Sequence, residues 1–202
     1  MVVLEAPCQP KIQISHGVED PEPYTSEEFA ALAASYPDLR MELTREGEFI
    51  IMPPAGGETG SRNADLTADL VVWNRIEKTG KVFDSSTGFV LSNGAKRSPD
   101  ASWVPAAEWE ALSSEERQQF LPLCPSFVIE LRSRTDRLST VQGKMREYRD
   151  NGARLGWLID PKSKRVEIYR PGQDIEIVNA PVSLSGEDVL PGFALNLEDI
   201  LI

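Results

Sequence analysis

The fold of this chain is indicated most clearly by the sequence FVIELRS at residues 127–133. Its short apolar run, rich in β-branched and aromatic side chains, is typical of a buried strand. Because side chains alternate between the two faces of a strand, Glu130 lies on the face opposite Ile129. A carboxylate in such a strand is costly to bury alone. Glu130 therefore indicates a cation or metal site, a salt bridge to Arg132, or a sheet surface that faces solvent.

Periodic segments on both sides of this strand predict the rest of the architecture. Further strands are predicted at 41–43, 48–52, within 81–104, at 155–159, at 166–169 and in the alternating tail 175–202. Helices are predicted at about 25–37, 61–79 and 138–151. Together they predict an α/β or α+β fold. Its core is a mixed central β-sheet flanked by two principal helices, with additional N-terminal and C-terminal strands.

Length and composition limit the classes of protein to consider. The chain has 202 residues, and residues 1–24 contain four prolines with little periodicity. We therefore expect an N-terminal arm at 1–24, which packs late or stays mobile, and one domain at 25–202. Two cysteines are too few for a disulfide framework or a thiolate zinc site. No signal peptide or membrane-spanning run is evident, so the expected location is the cytoplasm.

The charge distribution gives conflicting indications about nucleic acid. A net charge of −11 counts against DNA binding, because DNA-binding proteins usually carry a basic footprint. Residues 130–149, however, contain six Lys and Arg against three Asp and Glu. This basic segment surrounds Glu130. Its alternative interpretation is a solvated helix face with ordinary ion pairs.

Two further residues join Glu130 as candidates for chemistry. Asp100 follows Ser98-Pro99 and opens an apolar run, so a short strand would direct its side chain; the alternative is a turn aspartate that caps local backbone. Lys144 lies at the edge of the apolar stripe of the predicted helix 138–151, within reach of the sheet near Glu130. Its alternative is to extend into solvent. Two converging carboxylates form a hard oxygen site suited to Mg²⁺ or Mn²⁺.

Other catalytic classes lack their residues. His16 is the only histidine and falls in the arm, which excludes histidine-based hydrolysis and histidine-rich metal sites. The run GGETG at 56–60 lacks the Gly-Lys-Ser/Thr of a phosphate-binding loop, and we interpret it as a plain turn.

A series of motifs resembles a known family. In chain order they are MPP at 52–54 with the Gly-rich turn, SSTGF at 85–89, SPD at 98–100, FVIELRS at 127–133, KM at 144–145 with Tyr148, GWLIDP at 156–161 and LPGF at 190–193. This order, from about Met41 to the C-terminus, is similar to the Uma-two family of restriction-endonuclease-like proteins in the PD-(D/E)XK nuclease superfamily.

The resemblance implies a restriction-endonuclease-like core and a metal-dependent DNA endonuclease. Asp100 and Glu130 would be ligands of Mg²⁺ or Mn²⁺, and Lys144 would be the catalytic lysine, moved from the strand onto the helix. Auxiliary roles are implied for Glu42 or Glu48 as a further carboxylate, for Asn63 on the helix face, and for Arg132.

Two arginines depart from the pattern of that superfamily. Arg132 stands at the usual lysine position; an arginine is a poor base but can clamp a phosphate. Arg134 stands where the family would carry proline. Two alternative functions therefore remain open: an inactive nuclease-fold interaction module, and a metal-dependent hydrolase of a small phosphorylated substrate. A homodimer would suit duplex cleavage, because two strands must be cut.

Overall fold

The computed structural model describes residues 22–201. The predicted arm at 1–24 therefore lies almost wholly outside the described residues. The helices are α1 (Ser26–Ser35), α2 (Gly57–Glu77), α3 (Ala106–Ala111) and α4 (Leu138–Asp150), with 3₁₀ turns at Glu116–Gln118 and Pro161–Ser163. The strands are β1 (Arg40–Leu43), β2 (Phe49–Met52), β3 (Gly80–Asp84), β4 (Phe89–Val90), β5 (Lys96–Arg97), β6 (Ala101–Pro105), β7 (Phe127–Leu131), β8 (Leu155–Asp160), β9 (Arg165–Tyr169), β10 (Glu176–Asn179), β11 (Ser183–Ser185) and β12 (Ala194–Asn196).

A six-stranded mixed sheet forms the centre of the fold, in the order β10-β9-β8-β7-β6-β3. Strands β7 and β8 are parallel, and the other neighbours are antiparallel. Parallel neighbours require a crossover connection, which helix α4 supplies. The predicted fold class, a mixed sheet flanked by helices, is confirmed. The strands predicted at 155–159 and 166–169 form an antiparallel hairpin, β8–β9.

The two principal helices cover opposite faces of this sheet. Helix α2 buries Leu66, Leu70 and Trp73 in the larger apolar cluster, which also contains Ile129 of β7. Helix α4 packs its apolar stripe in a second cluster, which contains Val128. The alternation predicted for β7 is thus confirmed, because adjacent residues of the strand enter different clusters. Glu130 consequently faces α4.

Four further strands form a smaller sheet, in the order β2-β1-β5-β4. Strand β1 pairs with β2 along its whole length and with β5 at Leu43. Strand β5 ends at Arg97, and the residues Ser98, Pro99 and Asp100 then connect it to β6. The connection places Asp100 at the start of a central strand and next to β1.

The prediction of a plain turn at 56–60 was wrong. Gly56 is the N-cap residue, and α2 begins at Gly57. Glycine costs about 1 kcal/mol within a helix, but first-turn N–H groups have no intrahelical partner in any case. Burial of the apolar stripe further along the helix compensates for the weak start. Helix α1, by contrast, begins with a capping box, in which Thr25 and Glu28 exchange reciprocal hydrogen bonds.

None of the helices in residues 22–201 combines the length and apolar character of a membrane-spanning segment.

Candidate active site

A cleft of about 1030 Å³ opens among the small sheet, the start of α2 and the helix α4. The three predicted site residues, Asp100, Glu130 and Lys144, all line it. They come from the start of β6, from β7 and from α4. The fold therefore brings together residues that are separated by up to 44 positions in the sequence.

Glu130 is buried where β7 faces α4. Its Oε1 accepts a hydrogen bond from the Tyr148 hydroxyl at 3.1 Å and forms an ion pair with Lys144 Nζ at 2.8 Å. Lys144 thus reaches the sheet as expected. It lies four residues before Tyr148 on α4, and residues four apart on a helix share a face. Hydrogen bonds and ion pairs of the described residues engage only this one oxygen of Glu130.

A salt bridge from Glu130 to Arg132 was one of the expectations, and it is wrong. Arg132 instead contacts Asp160 Oδ2 at 2.8 Å and the backbone oxygen of Asp136. The reason is local: β7 ends at Leu131, so the alternation no longer applies to Arg132, and its side chain reaches the end of the neighbouring strand β8. Arg132 does not line the cleft.

Lys144 lies between two carboxylates. Its Nζ is 2.7 Å from Glu42 Oε1 and 2.8 Å from Glu130 Oε1, and it donates to the backbone oxygen of Ser98 at 3.4 Å. The alternative in which Lys144 extends into solvent is therefore wrong. Burial disfavours the charged ammonium, but the Glu130 and Glu42 carboxylates outweigh burial and raise the pKa of Lys144. Its two carboxylate partners thus hold Lys144 as an ammonium.

Glu42 supports this arrangement from strand β1. Its Oε1 also accepts a hydrogen bond from the Ser98 amide at 2.8 Å, and its Oε2 lies 3.2 Å from Arg97. Burial opposes ionisation, but Lys144 and Arg97 together lower the pKa of Glu42. Of the two predicted auxiliary carboxylates, Glu42 joins the cluster. Glu48 lines the cleft but is exposed and makes no ion pair within the described residues.

Asp100 is held by partners that are distant in sequence. Its Oδ2 accepts the Leu131 amide at 2.8 Å, and its Oδ1 accepts Asn63 Nδ2 at 3.1 Å. The alternative of a local backbone cap is therefore wrong. Burial raises the pKa of Asp100, although these donors and the charges of Lys144 and Arg40 oppose the rise.

The electrostatics of the cluster leave it short of positive charge. Burial raises the pKa of Glu130 to about 7 against the influence of Lys144, and the like charges of Asp100 and Glu42 add to the rise. Asp100 is thus close enough to Glu130 for its charge to act on the pKa of Glu130. Another cation at this point would stabilise both in their ionised forms.

The donor set fits a partly hydrated divalent ion. Among residues 22–201, no three His, Cys, Asp or Glu side chains are arranged to enclose a metal ion. Mg²⁺, however, is commonly held by one or two carboxylates, waters and substrate phosphate. Besides Asp100 and Glu130, the cleft offers the amide oxygen of Asn63, which is buried without a hydrogen-bond partner. These residues could hold Mg²⁺ or Mn²⁺ through oxygen ligands, with water completing the shell.

Two cationic members of the site were missed from the sequence. Arg97 bridges Glu42 and Glu147, and Arg40 lines the cleft near Asp100. A signal for Arg40 exists: two residues before Glu42 on a strand, it belongs to the same face. The sequence prediction began that strand at 41 and so left Arg40 out. Arg97 had no such signal, because its partners lie 50 or more residues away.

Comparison with solved structures finds a similar fold. A crystal structure described as a putative nuclease belonging to DUF820, from Anabaena variabilis, matches with a TM-score of 0.68 and 21% sequence identity, covering 80% of this chain and 89% of that one. Among curated proteins, no match is found. A family model described as "Uma2: Putative restriction endonuclease" matches residues 26–198. The chain therefore belongs to the Uma2 family.

Proposed function

We propose that this protein is a DNA endonuclease of the PD-(D/E)XK type that depends on Mg²⁺ or Mn²⁺. The observation that carries the proposal is the convergence of Asp100, Glu130 and Lys144 on one cleft, with a Glu130 oxygen left open. The family description and the nuclease fold support the same reaction class.

The proposed roles follow from the contacts. Asp100 and Glu130 would hold the metal, which when bound polarises a phosphoryl oxygen and makes water a stronger nucleophile. Lys144 stays protonated between two carboxylates. It therefore offers a fixed positive charge to the phosphate as negative charge develops. Glu42 keeps that ammonium oriented.

Lys144 rather than Arg132 is the cation that we assign to catalysis. Both guanidinium contacts of Arg132 are internal, to Asp160 and to the Asp136 backbone. Arg132 therefore links the ends of the sheet and a loop instead of clamping phosphate.

The charges that line the cleft support the proposed dependence on metal. Eight carboxylate side chains and five cationic ones line it, so without a divalent ion it repels phosphate. The same observation favours a second candidate, hydrolysis of a small phosphorylated substrate. Such a substrate would place fewer negative charges against this surface than duplex DNA does. Hydrolysis of a small phosphorylated substrate that is inhibited by nucleotides but not by DNA would identify this second activity.

The test is cleavage of supercoiled and linear DNA by the purified protein in Mg²⁺ or Mn²⁺, with EDTA as the reference. Asp100→Asn is expected to lower the rate at least about 100-fold, because a metal ligand contributes several kcal/mol to the transition state. Asp174→Asn removes an equal charge at an exposed position outside the cleft and should cleave normally.

A second pair of variants tests the cation. Lys144→Met is expected to reduce cleavage to a similar degree, while Lys162→Met, at an exposed position, should not. Intact DNA in both metals across pH 6–9 would contradict the proposal. Cleavage that survives Asp100→Asn would contradict the site assignment.

A further inference from the structure

Arg40 has a position in the cleft that its internal contacts do not explain. It begins strand β1, where it pairs with Met52 of β2, so its backbone is held by the small sheet. Its side chain is partly buried and lines the cleft. Its Nε is buried without a hydrogen-bond partner. An unsatisfied guanidinium nitrogen in a partly buried position is costly, unless a ligand supplies the acceptor.

The other cations of the cleft differ from Arg40 in their partners. Lys144, Arg97 and Arg45 each form an ion pair with a carboxylate. Arg146 is exposed. Within residues 22–201, no ion pair engages Arg40. Arg40 is therefore a partly buried positive charge that forms no ion pair with a carboxylate of the described cleft.

Arg40 also lies close to the proposed metal site. It lines the same cleft as Asp100, and Glu42, two residues further along the same strand, contacts Lys144 and the Ser98 amide. Asp100 itself takes its hydrogen bonds from Asn63 and from the Leu131 backbone, not from Arg40. The Arg40 guanidinium therefore lies in the cleft beside the proposed metal site but forms no hydrogen bond with Asp100.

We propose that Arg40 binds the phosphate group of the substrate beside the metal site. This inference rests on the proposed function and adds the residue that positions the substrate. A guanidinium presents its N–H donors in a planar fork that matches two phosphate oxygens. A phosphate held between Arg40 and a metal on Asp100 would have its charge compensated from two sides. Strand β1 also carries Glu42, so the residue that binds phosphate and the residue that orients Lys144 share one rigid element.

The first test uses inorganic phosphate and thermal unfolding, which requires no cleavage. In 5 mM Mg²⁺, phosphate is expected to raise the Tm of the wild type, and Arg40→Gln should weaken phosphate binding about 10- to 100-fold, as for a lost charged hydrogen bond. Arg75→Gln loses the same charge at an exposed position of α2 outside the cleft and should bind like the wild type. The Mg²⁺-induced rise in Tm should remain in both variants.

The second test separates binding from catalysis with DNA. Arg40→Gln should raise KM more than it lowers kcat, and the salt dependence of KM should lose a slope of about one. Arg40→Lys keeps the charge without the fork and should fall between the wild type and Arg40→Gln. If Arg40→Gln fails to fold, Arg40→Lys gives the same comparison with a conservative change.

The outcomes distinguish this inference from the proposed function. Phosphate binding that depends on Arg40, in a protein that cleaves no DNA, would reject the nuclease and retain Arg40 as a phosphate ligand. Cleavage with the same KM and the same phosphate affinity in Arg40→Gln and Arg75→Gln would overturn the inference and leave the nuclease in place.

Discussion

Two buried glutamates on the central sheet face the same helix and differ in how their oxygens are engaged. Glu130 on β7 contacts Lys144 of α4, and Glu167 on β9 contacts Gln142 of the same helix. Glu167 is 1% exposed and Glu130 7%. Burial alone therefore does not separate them.

Their hydrogen bonds do separate them. Both oxygens of Glu167 accept bonds from Gln142, and Arg165 and the Tyr169 hydroxyl each add one at 2.7 Å. Glu130 uses a single oxygen and lines the cleft, where burial raises its pKa and the charges of Asp100 and Glu42 add to the rise. The comparison indicates that a saturated buried carboxylate stabilises structure, whereas an unsaturated one beside like charges is suited to receive a cation.

The contrast between the two glutamates is tested most strongly by making both of them neutral. Glu130→Gln should lower DNA cleavage about 1000-fold or more, because the isosteric amide is a poor metal ligand. Glu167→Gln should cleave within a few-fold of the wild type. Initial rates on plasmid DNA in Mg²⁺ measure the difference. Equal losses in the two variants would mean that both residues act through folding.

Stability should show the opposite order. Glu167→Ala leaves the partly buried Arg165 and the buried Tyr169 hydroxyl without their acceptor, and we expect a loss of about 3–5 kcal/mol in the free energy of unfolding. Glu130→Ala should cost at least about 1 kcal/mol less, because Lys144 keeps Glu42 as a partner and repulsion with Asp100 is removed. Urea unfolding in EDTA gives both values. A larger loss for Glu130→Ala would contradict the distinction.

The sequence was sufficient for what depends on short-range periodicity. The period of two along 127–131 predicted the face of Glu130, and the helical period predicted that Lys144 lies beside it. Both predictions hold because the two faces of β7 are packed against α2 and α4, which leaves no freedom to change register.

What the sequence could not predict depends on contacts between distant segments. Arg97 and Glu42 lie 55 residues apart and meet only because β5 pairs with β1. Strand alternation placed Arg132 on the same face as Glu130, but strand β7 ends at Leu131, one residue earlier. The start of α2 at Gly57 ran against helix propensity, since tertiary packing of its apolar stripe decided the outcome. The catalytic and metal-binding roles themselves remain predictions.

The pH dependence of stability offers a smaller effect with a defined sign. Burial raises the pKa of Glu130 from its ordinary 4.5 to about 7, so the native chain binds more protons than the unfolded chain between these values. The contribution of Glu130 to stability is therefore fully present below about pH 4.5. It is lost as the pH rises through 7, which lowers the free energy of unfolding by up to about 3 kcal/mol.

Glu130→Gln should remove this contribution, since the amide does not titrate. Urea unfolding in EDTA gives the free energy of unfolding at pH 5 and at pH 8. The contribution of Glu130 is the loss between these pH values in the wild type minus the loss in the variant. The difference isolates Glu130 from Asp100 and Glu42, whose titrations remain in both proteins. A variant that loses as much stability as the wild type between the two pH values would show that Glu130 is ionised throughout.

The smallest expected effect is also the most direct comparison of the two glutamates. At ten times its dissociation constant, Mg²⁺ or Mn²⁺ should stabilise the wild type by about 1.4 kcal/mol, which for a chain of this size is a Tm rise of roughly 3–6 °C. Glu130→Gln should lose this rise and Glu167→Gln should keep it, because the saturated oxygens of Glu167 have no place for a metal. The rise in the wild type should be larger at pH 8 than at pH 6, since the metal must displace the proton that burial keeps on Glu130. A rise that is equal in both variants would place the metal elsewhere, and Glu130 would then serve only Lys144 and the Tyr148 hydroxyl.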